Sequence, residues 1–280
     1  MIGTLSIIRV CASQELVLAI RARATQVFAL AFAMLALAVS ASGYILSGGS
    51  GVQDFARTAT SLTELVLFVV PVMALLVGTT ALCPDAGAAE LLFSQPAPRR
   101  TVLWGKLLGL LMALVAAQAI GFGASGLVIF SQSGNEGLSA FLLVTAGSVA
   151  LTAVSLSVSA LIAGSSTGRG RARAVAIALA VWFVAVVLYD LVALGTASLL
   201  RSDAASRLLI SATLANPVDA VRTGVLLGIQ GTSAFGSASL ALLRFTGGLT
   251  KAAALIVSGV ALWIVLPALV AARRLERADI

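Results

Sequence analysis

The chain has 280 residues, 60% of them hydrophobic and 10% charged, with no histidine and a net charge of +7. Soluble domains are about half apolar and a quarter charged, so this composition excludes one; at about 20 apolar residues per helical span, it leaves room for about six spans in a single membrane domain covering residues 1–280. The basic residues cluster at the ends of hydrophobic runs, which signals orientation in a bilayer rather than a nucleic-acid surface.

Residues 1–20 place Ile2, Leu5, Ile8, Ala12, Leu16 and Ala19 near helical spacing, which predicts an amphipathic helix lying in the interface. The apolar run that follows is too long for a cleavable signal. Span one is expected over 24–46, and an outer loop with Asp54 and Arg57 leads to span two, 62–82, which Pro71 should kink. A polar island, 83–106, precedes span three (107–130), a short outer turn (131–137) and span four (138–163). The arginine-bearing loop 164–173 leads to span five, 174–200.

Residues 201–250 are partly apolar and interrupted by glycines, which suits short outer helices rather than a span. Asn216 before Pro217 reads as an N-cap with proline at the first helical position, which predicts a helix over 217–229. This segment is expected to be the docking or gating face, with Asn216, Pro217, Asp219 and Arg222 as candidate contacts for an outer partner. Span six follows over 252–272, ending at Arg273, Arg274 and Arg277. Twelve of the eighteen Lys and Arg residues then fall on the side of the termini and six on the other, so the positive-inside rule places both termini in the cytoplasm.

Catalytic strings lose their usual chemistry without histidine. Gly164–Gly168 fits G-x-S-x-G and Gly123–Gly126 fits G-x-S-G, but a nucleophilic serine needs an adjacent base. Gly121–Gly126 fits G-x-G-x-x-G yet lies inside a hydrophobic run rather than after a strand. No P-loop is present, so ATP and its Mg²⁺ would have to be held by a second polypeptide. Two cysteines far apart, Cys11 and Cys83, and four scattered methionines predict neither a metal site nor a disulfide.

Asp190 reads as the one acid inside a span, where a charge costs on the order of 3 kcal/mol at mid-membrane. It has two readings: a structural pair with Arg201, Arg244 or Lys251, or, with Pro71, a place in a path or gate. The Gly105/Gly109 and Gly224/Gly228 pairs are spaced for close helix packing.

The island Cys83–Lys106 has a turn-rich start, a short helical run with Glu90, a proline-bracketed break and a basic pair. It resembles the first cytoplasmic loop of ABC-2 type transporter permeases at Asp85, Gly87, Glu90, Leu91, Leu92, Ser94, Pro96, Arg99, Gly105 and Lys106, and departs from it at Leu82, Cys83, Ala88 and Ala89. Within that family, Ala180–Gly195 and Ala215–Gly231 resemble the permeases of copper-processing transporters used in nitrous oxide reductase maturation. The resemblance implies a non-catalytic permease of the bacterial inner membrane, paired with a second copy. ATP-binding subunits would sit below it and a periplasmic β-helical, metal-handling protein above. It also implies that the island is a coupling helix gripped by the ATP-binding subunit, through Asp85, Gly87, Glu90, Leu91, Leu92, Phe93, Gln95, Pro96, Arg99, Arg100, Gly105 and Lys106. The alternative is a scaffold that remodels a periplasmic partner without moving a solute.

Overall fold

A computed structural model describes residues 4–47, 51–83, 98–133, 137–165, 170–230 and 245–277. The described residues are helical, without strands: α1 (Thr4–Arg21), α2 (Arg23–Ser47), α3 (Gly51–Leu82), α4 (Arg99–Ser133), α5 (Leu138–Ser165), α6 (Arg171–Phe183), a π-helical turn (Val184–Leu188), α7 (Tyr189–Ser198), α8 (Ser202–Ala215), α9 (Pro217–Gln230) and α10 (Leu249–Arg277). Among the described residues, six stretches are long and apolar enough to cross a bilayer: Arg23–Ser42, Thr58–Leu82, Arg99–Ser131, Leu138–Gly164, Arg171–Ser198 and Leu249–Arg277. These are the six expected spans, and an even number returns both termini to one side, called the inner side below.

Several boundaries differ from the sequence reading. Helix α3 starts at Gly51, so the expected outer loop around Asp54 and Arg57 is helical, since no Gly or Pro interrupts residues 52–70. Helix α4 starts at Arg99, just after Pro98, and takes in the basic half of the island, including Gly105 and Lys106. Span five is broken by the π-turn between α6 and α7.

Helix α1 packs beside the inner turns of α4. A Cβ on Gly105 would lie 2.5 Å from the Cys11 Cβ, and one on Gly109 would lie 2.5 Å from the Ala12 carbonyl oxygen. Advancing along α4 advances along α1, so the two helices run in the same direction, and only glycine lets their backbones come this close. The main core is built from Phe28 and Phe32 of α2, Val70 of α3, Leu110 and Leu114 of α4 and Leu151 of α5. A separate small core at the inner ends of spans two, four and five contains Leu75, Cys83, Ile162, Ala163, Ala174 and Ala178.

The short helices do not lie on the outer surface. Gly147 of span four faces Val221 and Val225, and Gly228 faces Leu143, so α9 climbs outward along span four from a deep end at Pro217. Helix α8 descends beside span five, where the Tyr189 hydroxyl donates to the Ala212 carbonyl at 3.0 Å. The pair forms a hairpin whose tip, Asn216, donates through Nδ2 to the Ala185 carbonyl at 2.7 Å. Ala185 lies thirteen residues inward of Ser198, a depth of about 20 Å at 1.5 Å per residue.

Candidate functional site

The tip of the hairpin is locally determined. Asn216 Oδ1 accepts from the Val218 amide at 3.1 Å, which caps α9 as its sequence predicts, and Pro217 occupies the first helical position, where its missing N–H is harmless. One turn further, the same helix presents Asp219 and Arg222 toward spans two and five.

Arg222 is the centre of a charge lattice. Its Nε donates to Glu64 Oε1 at 3.2 Å and its Nη2 to Glu64 Oε2 at 2.8 Å, a two-pronged pair with span two. Nη1 donates to Asp190 Oδ2 in span five at 2.6 Å, and Asp219 Oδ1 lies 3.8 Å from the same nitrogen. A planar guanidinium can serve two carboxylates in this way because its donors form a rigid fork. The side chains of Glu64, Arg222 and Asp190 remain 48%, 34% and 29% exposed, so one edge of the lattice opens out of the chain.

Asp190 therefore takes Arg222, one of the residues assigned from sequence to outer docking, and not Arg201 or Lys251; Arg244 lies outside the described residues. Folding the hairpin back carries α9 to the depth of Asp190. Nor is Asp190 alone, since Glu64 lies inside span two, six residues from Thr58. A glutamate within the apolar run LTELVLFVV was the available signal.

Pro71 lies inside α3. Its ring crowds the preceding turn and it brings no N–H to that turn. Phe68, in that turn, accepts the Trp182 indole N–H at its carbonyl at 3.1 Å, and the two rings meet edge to face with centroids 5.0 Å apart.

Of the expected coupling residues, Asp85, Gly87, Glu90, Leu91, Leu92, Phe93, Gln95 and Pro96 lie outside the described residues, and the others are on the inner side. Arg99 donates to the Leu275 carbonyl at 3.4 Å, and Arg100 is exposed one residue on. Gly105 faces α1, and Lys106 pairs with the largely buried Glu15 at 3.5 Å while also reaching the Ala81 carbonyl at 3.5 Å. Arg171 donates to the Thr80 carbonyl at 2.8 Å. Cations here cap the carbonyl ends of spans two and six, where the helix dipole favours positive charge.

Ser166 of the G-x-S-x-G string lies outside the described residues. Ser125 is buried and donates to the Phe122 carbonyl in its own turn at 3.2 Å. Among the described residues, no group of three or more Cys, Asp or Glu side chains is arranged to hold a metal ion. A buried polar network joins spans three and four: Ser148 Oγ donates to Gln118 Oε1 at 2.5 Å, and Gln118 Nε2 donates to Thr152 Oγ1 at 2.7 Å.

Comparison with known proteins agrees with this architecture. A family model described as ABC-2 family transporter protein matches residues 9–280. The probable ABC transporter permease protein NosY of Pseudomonas aeruginosa is 31% identical over 236 residues, covering 82% of this chain and 85% of that protein. The protein of the same description from Stutzerimonas stutzeri is 31% identical over 238 residues, with the same coverage of 82% and 85%.

Proposed function

Because the chain belongs to the ABC-2 family of transporter proteins, as a membrane-spanning permease, we propose that it couples ATP hydrolysis on a separate subunit to movement at its outer face. The observation that carries this reading is the family match over residues 9–280 in a chain with six spans and no P-loop of its own. In this assembly ATP and Mg²⁺ belong to the partner, which grips the island that begins at Cys83. Span two ends at that island, so a push on it reaches the outer lattice through Glu64. The protein sits in the bacterial inner membrane with both termini in the cytoplasm.

A second copy completes the permease. Only 6% of the most apolar window of span five is buried within one chain. The half-open lattice joins the same span through Asp190, and lipid is a costly neighbour for half-exposed charges. The likeness of Ala180–Gly195 and Ala215–Gly231 to the nitrous oxide reductase maturation subgroup, with the 31% identity to the NosY permease proteins, supports a role in copper or sulfur handling for that enzyme, with a periplasmic β-helical, metal-handling partner. Gln118, Ser148 and Thr152, the buried polar side chains between spans three and four, bond to one another, which favours a second reading, motion delivered to the periplasmic partner without solute transfer.

The test is co-expression with the ATP-binding subunit of the same transporter. Leu91, Leu92 and Phe93 would supply apolar anchors, and Glu90 a charge at the rim. Phe93→Ala with Glu90→Lys should weaken co-purification, or leave the subunit bound with its ATPase uncoupled, at unchanged membrane insertion. Full assembly and coupled activity in that double variant would overturn the coupling role.

A further inference from the structure

Spans two and five each contain one break in helical regularity, and the breaks lie close together. Pro71 sits one turn inward of Phe68, and Trp182, bonded to the Phe68 carbonyl, sits two residues before the π-turn Val184–Leu188. Sharp changes of helix direction arise at proline and at π-bulges, and π-bulges often mark functional sites. At both breaks a backbone carbonyl accepts a side-chain donor from a neighbouring element: Phe68 from Trp182, and Ala185 from Asn216 at the hairpin tip.

In span five the attachments differ on the two sides of these breaks, whereas span two adds to the main core on both, through Leu62, Val66, Val70, Ala74 and Val77. Inward of them, span five is anchored by Ala174 and Ala178 in the small inner core and by Arg171 on the Thr80 carbonyl of span two. Outward of them, no residue of Tyr189–Ser198 is buried, and in the π-turn itself only Ala185 and Val186 lean on the main core. That half is held by polar bonds: Asp190 to Arg222 at 2.6 Å and Tyr189 to the Ala212 carbonyl at 3.0 Å. Arg222 also grips Glu64, which lies outward of Pro71 in span two.

We infer that spans two and five share a joint at Pro71 and Val184–Leu188, about which an outer body turns on the inner half. The outer body consists of the outer parts of both spans and the α8–α9 hairpin. The Arg222 lattice makes it one piece, and Trp182 and Asn216 are the pins of the joint. Hinges of this kind concentrate a large movement in a few backbone positions while packed halves stay rigid. The inference concerns this chain alone and does not depend on the ATP-binding partner.

Distances between paired spin labels test it in the chain reconstituted in lipid discs, with Cys11→Ala and Cys83→Ala, and diluted with unlabelled chain so that only distances within one chain are read. One pair, Arg173→Cys with Thr196→Cys, crosses the joint. Two control pairs stay within one body: Arg100→Cys with Arg173→Cys inside, and Ser61→Cys with Thr196→Cys outside. The joint gives the crossing pair a distance distribution roughly twofold wider than either control. Asn216→Asp keeps the acceptor that caps α9 and removes the donor to Ala185, and Trp182→Phe removes the indole donor while keeping a ring on Phe68. Each should widen or shift the crossing pair further and leave both controls unchanged. A crossing pair as narrow as the controls in the unaltered chain would overturn the joint. So would variants that broaden all three pairs equally, because that is general loosening.

Discussion

Arg222 and Glu64, 158 residues apart in sequence, meet through two parallel hydrogen bonds of 3.2 and 2.8 Å that tie the re-entrant hairpin to span two. Removing the guanidinium leaves Glu64, Asp190 and Asp219 facing one another with no cation between them. Breaking a fully buried pair costs about 3–5 kcal/mol, whereas exposed pairs are worth about 1 or less. For this half-exposed lattice, Arg222→Ala should cost about 1–3 kcal/mol. Arg222→Lys should recover only part of it, since an ammonium cannot serve Glu64 with two parallel bonds. Exchanging Arg222→Glu with Glu64→Arg should not rescue, because the new glutamate would confront Asp190 and Asp219. Thermal unfolding of the purified chain in one detergent reads all of these.

Glycine at 105 and 109 sets the contact between α1 and span three, and the two positions should respond differently to the same change. A Cβ at Gly105 meets first a side chain, the Cys11 Cβ at 2.5 Å. Cys11→Gly should therefore partly rescue Gly105→Ala. A Cβ at Gly109 meets the Ala12 carbonyl oxygen at 2.5 Å, and no truncation removes a backbone atom. Overpacking of this kind costs about 1–3 kcal/mol. Proteolysis within residues 4–21 of the two single variants and the Cys11→Gly double variant compares how firmly α1 stays docked.

Long apolar runs made the six spans legible, and the Asn216–Pro217 pair made the start of α9 legible, because both signals are local. The hairpin's depth was not, since it depends on Gly147 and Gly228 fitting against Val221, Val225 and Leu143 across elements far apart in sequence. The π-turn left no compositional trace, because VAVVL suits either helical register. Glu64 was visible inside an apolar run, but its partner was not, and Glu15 gave no hint of Lys106. The island's motif was legible by resemblance, while its proposed extent as a loop ran too far: nothing after Pro98 prevents a helix from starting at Arg99.

The buried amide of Gln118 should be more sensitive to loss of a partner than to its own removal. In Gln118→Leu, Thr152 still donates to the Ser148 carbonyl at 2.8 Å, and Ser148 can turn to a carbonyl in its own helix. The cost should be under about 1 kcal/mol. In Ser148→Val, the Gln118 Oε1 is left in an apolar interior without the donor it has at 2.5 Å, and a branched side chain enters a fully buried position. That change should cost about 1–3 kcal/mol. Equal melting temperatures for the two variants would mean that the network is not held as a closed ring.

The distribution of charge predicts which side faces the cytoplasm. Under the six-span layout, Arg99, Arg100, Lys106, Arg171, Arg173, Arg273, Arg274 and Arg277 share the side of the termini. Four of them sit at three helix ends that begin or close a span: Arg99 opens span three, Arg171 opens span five, and Arg274 and Arg277 close span six. Cations beside span ends stay preferentially on the cytoplasmic side. A chain with Cys11 and Cys83 replaced should therefore react with a membrane-impermeant thiol reagent from outside when it carries Ser133→Cys or Ser233→Cys. With Pro98→Cys or Gly170→Cys it should react only after the cells are permeabilised. Ser233 carries the most information, because it follows the hairpin that turns back before the outer side is left for span six. Labelling of Ser233→Cys only from the inside would mean that the hairpin crosses the bilayer, and the positions of α8 and α9 beside spans four and five could not then stand.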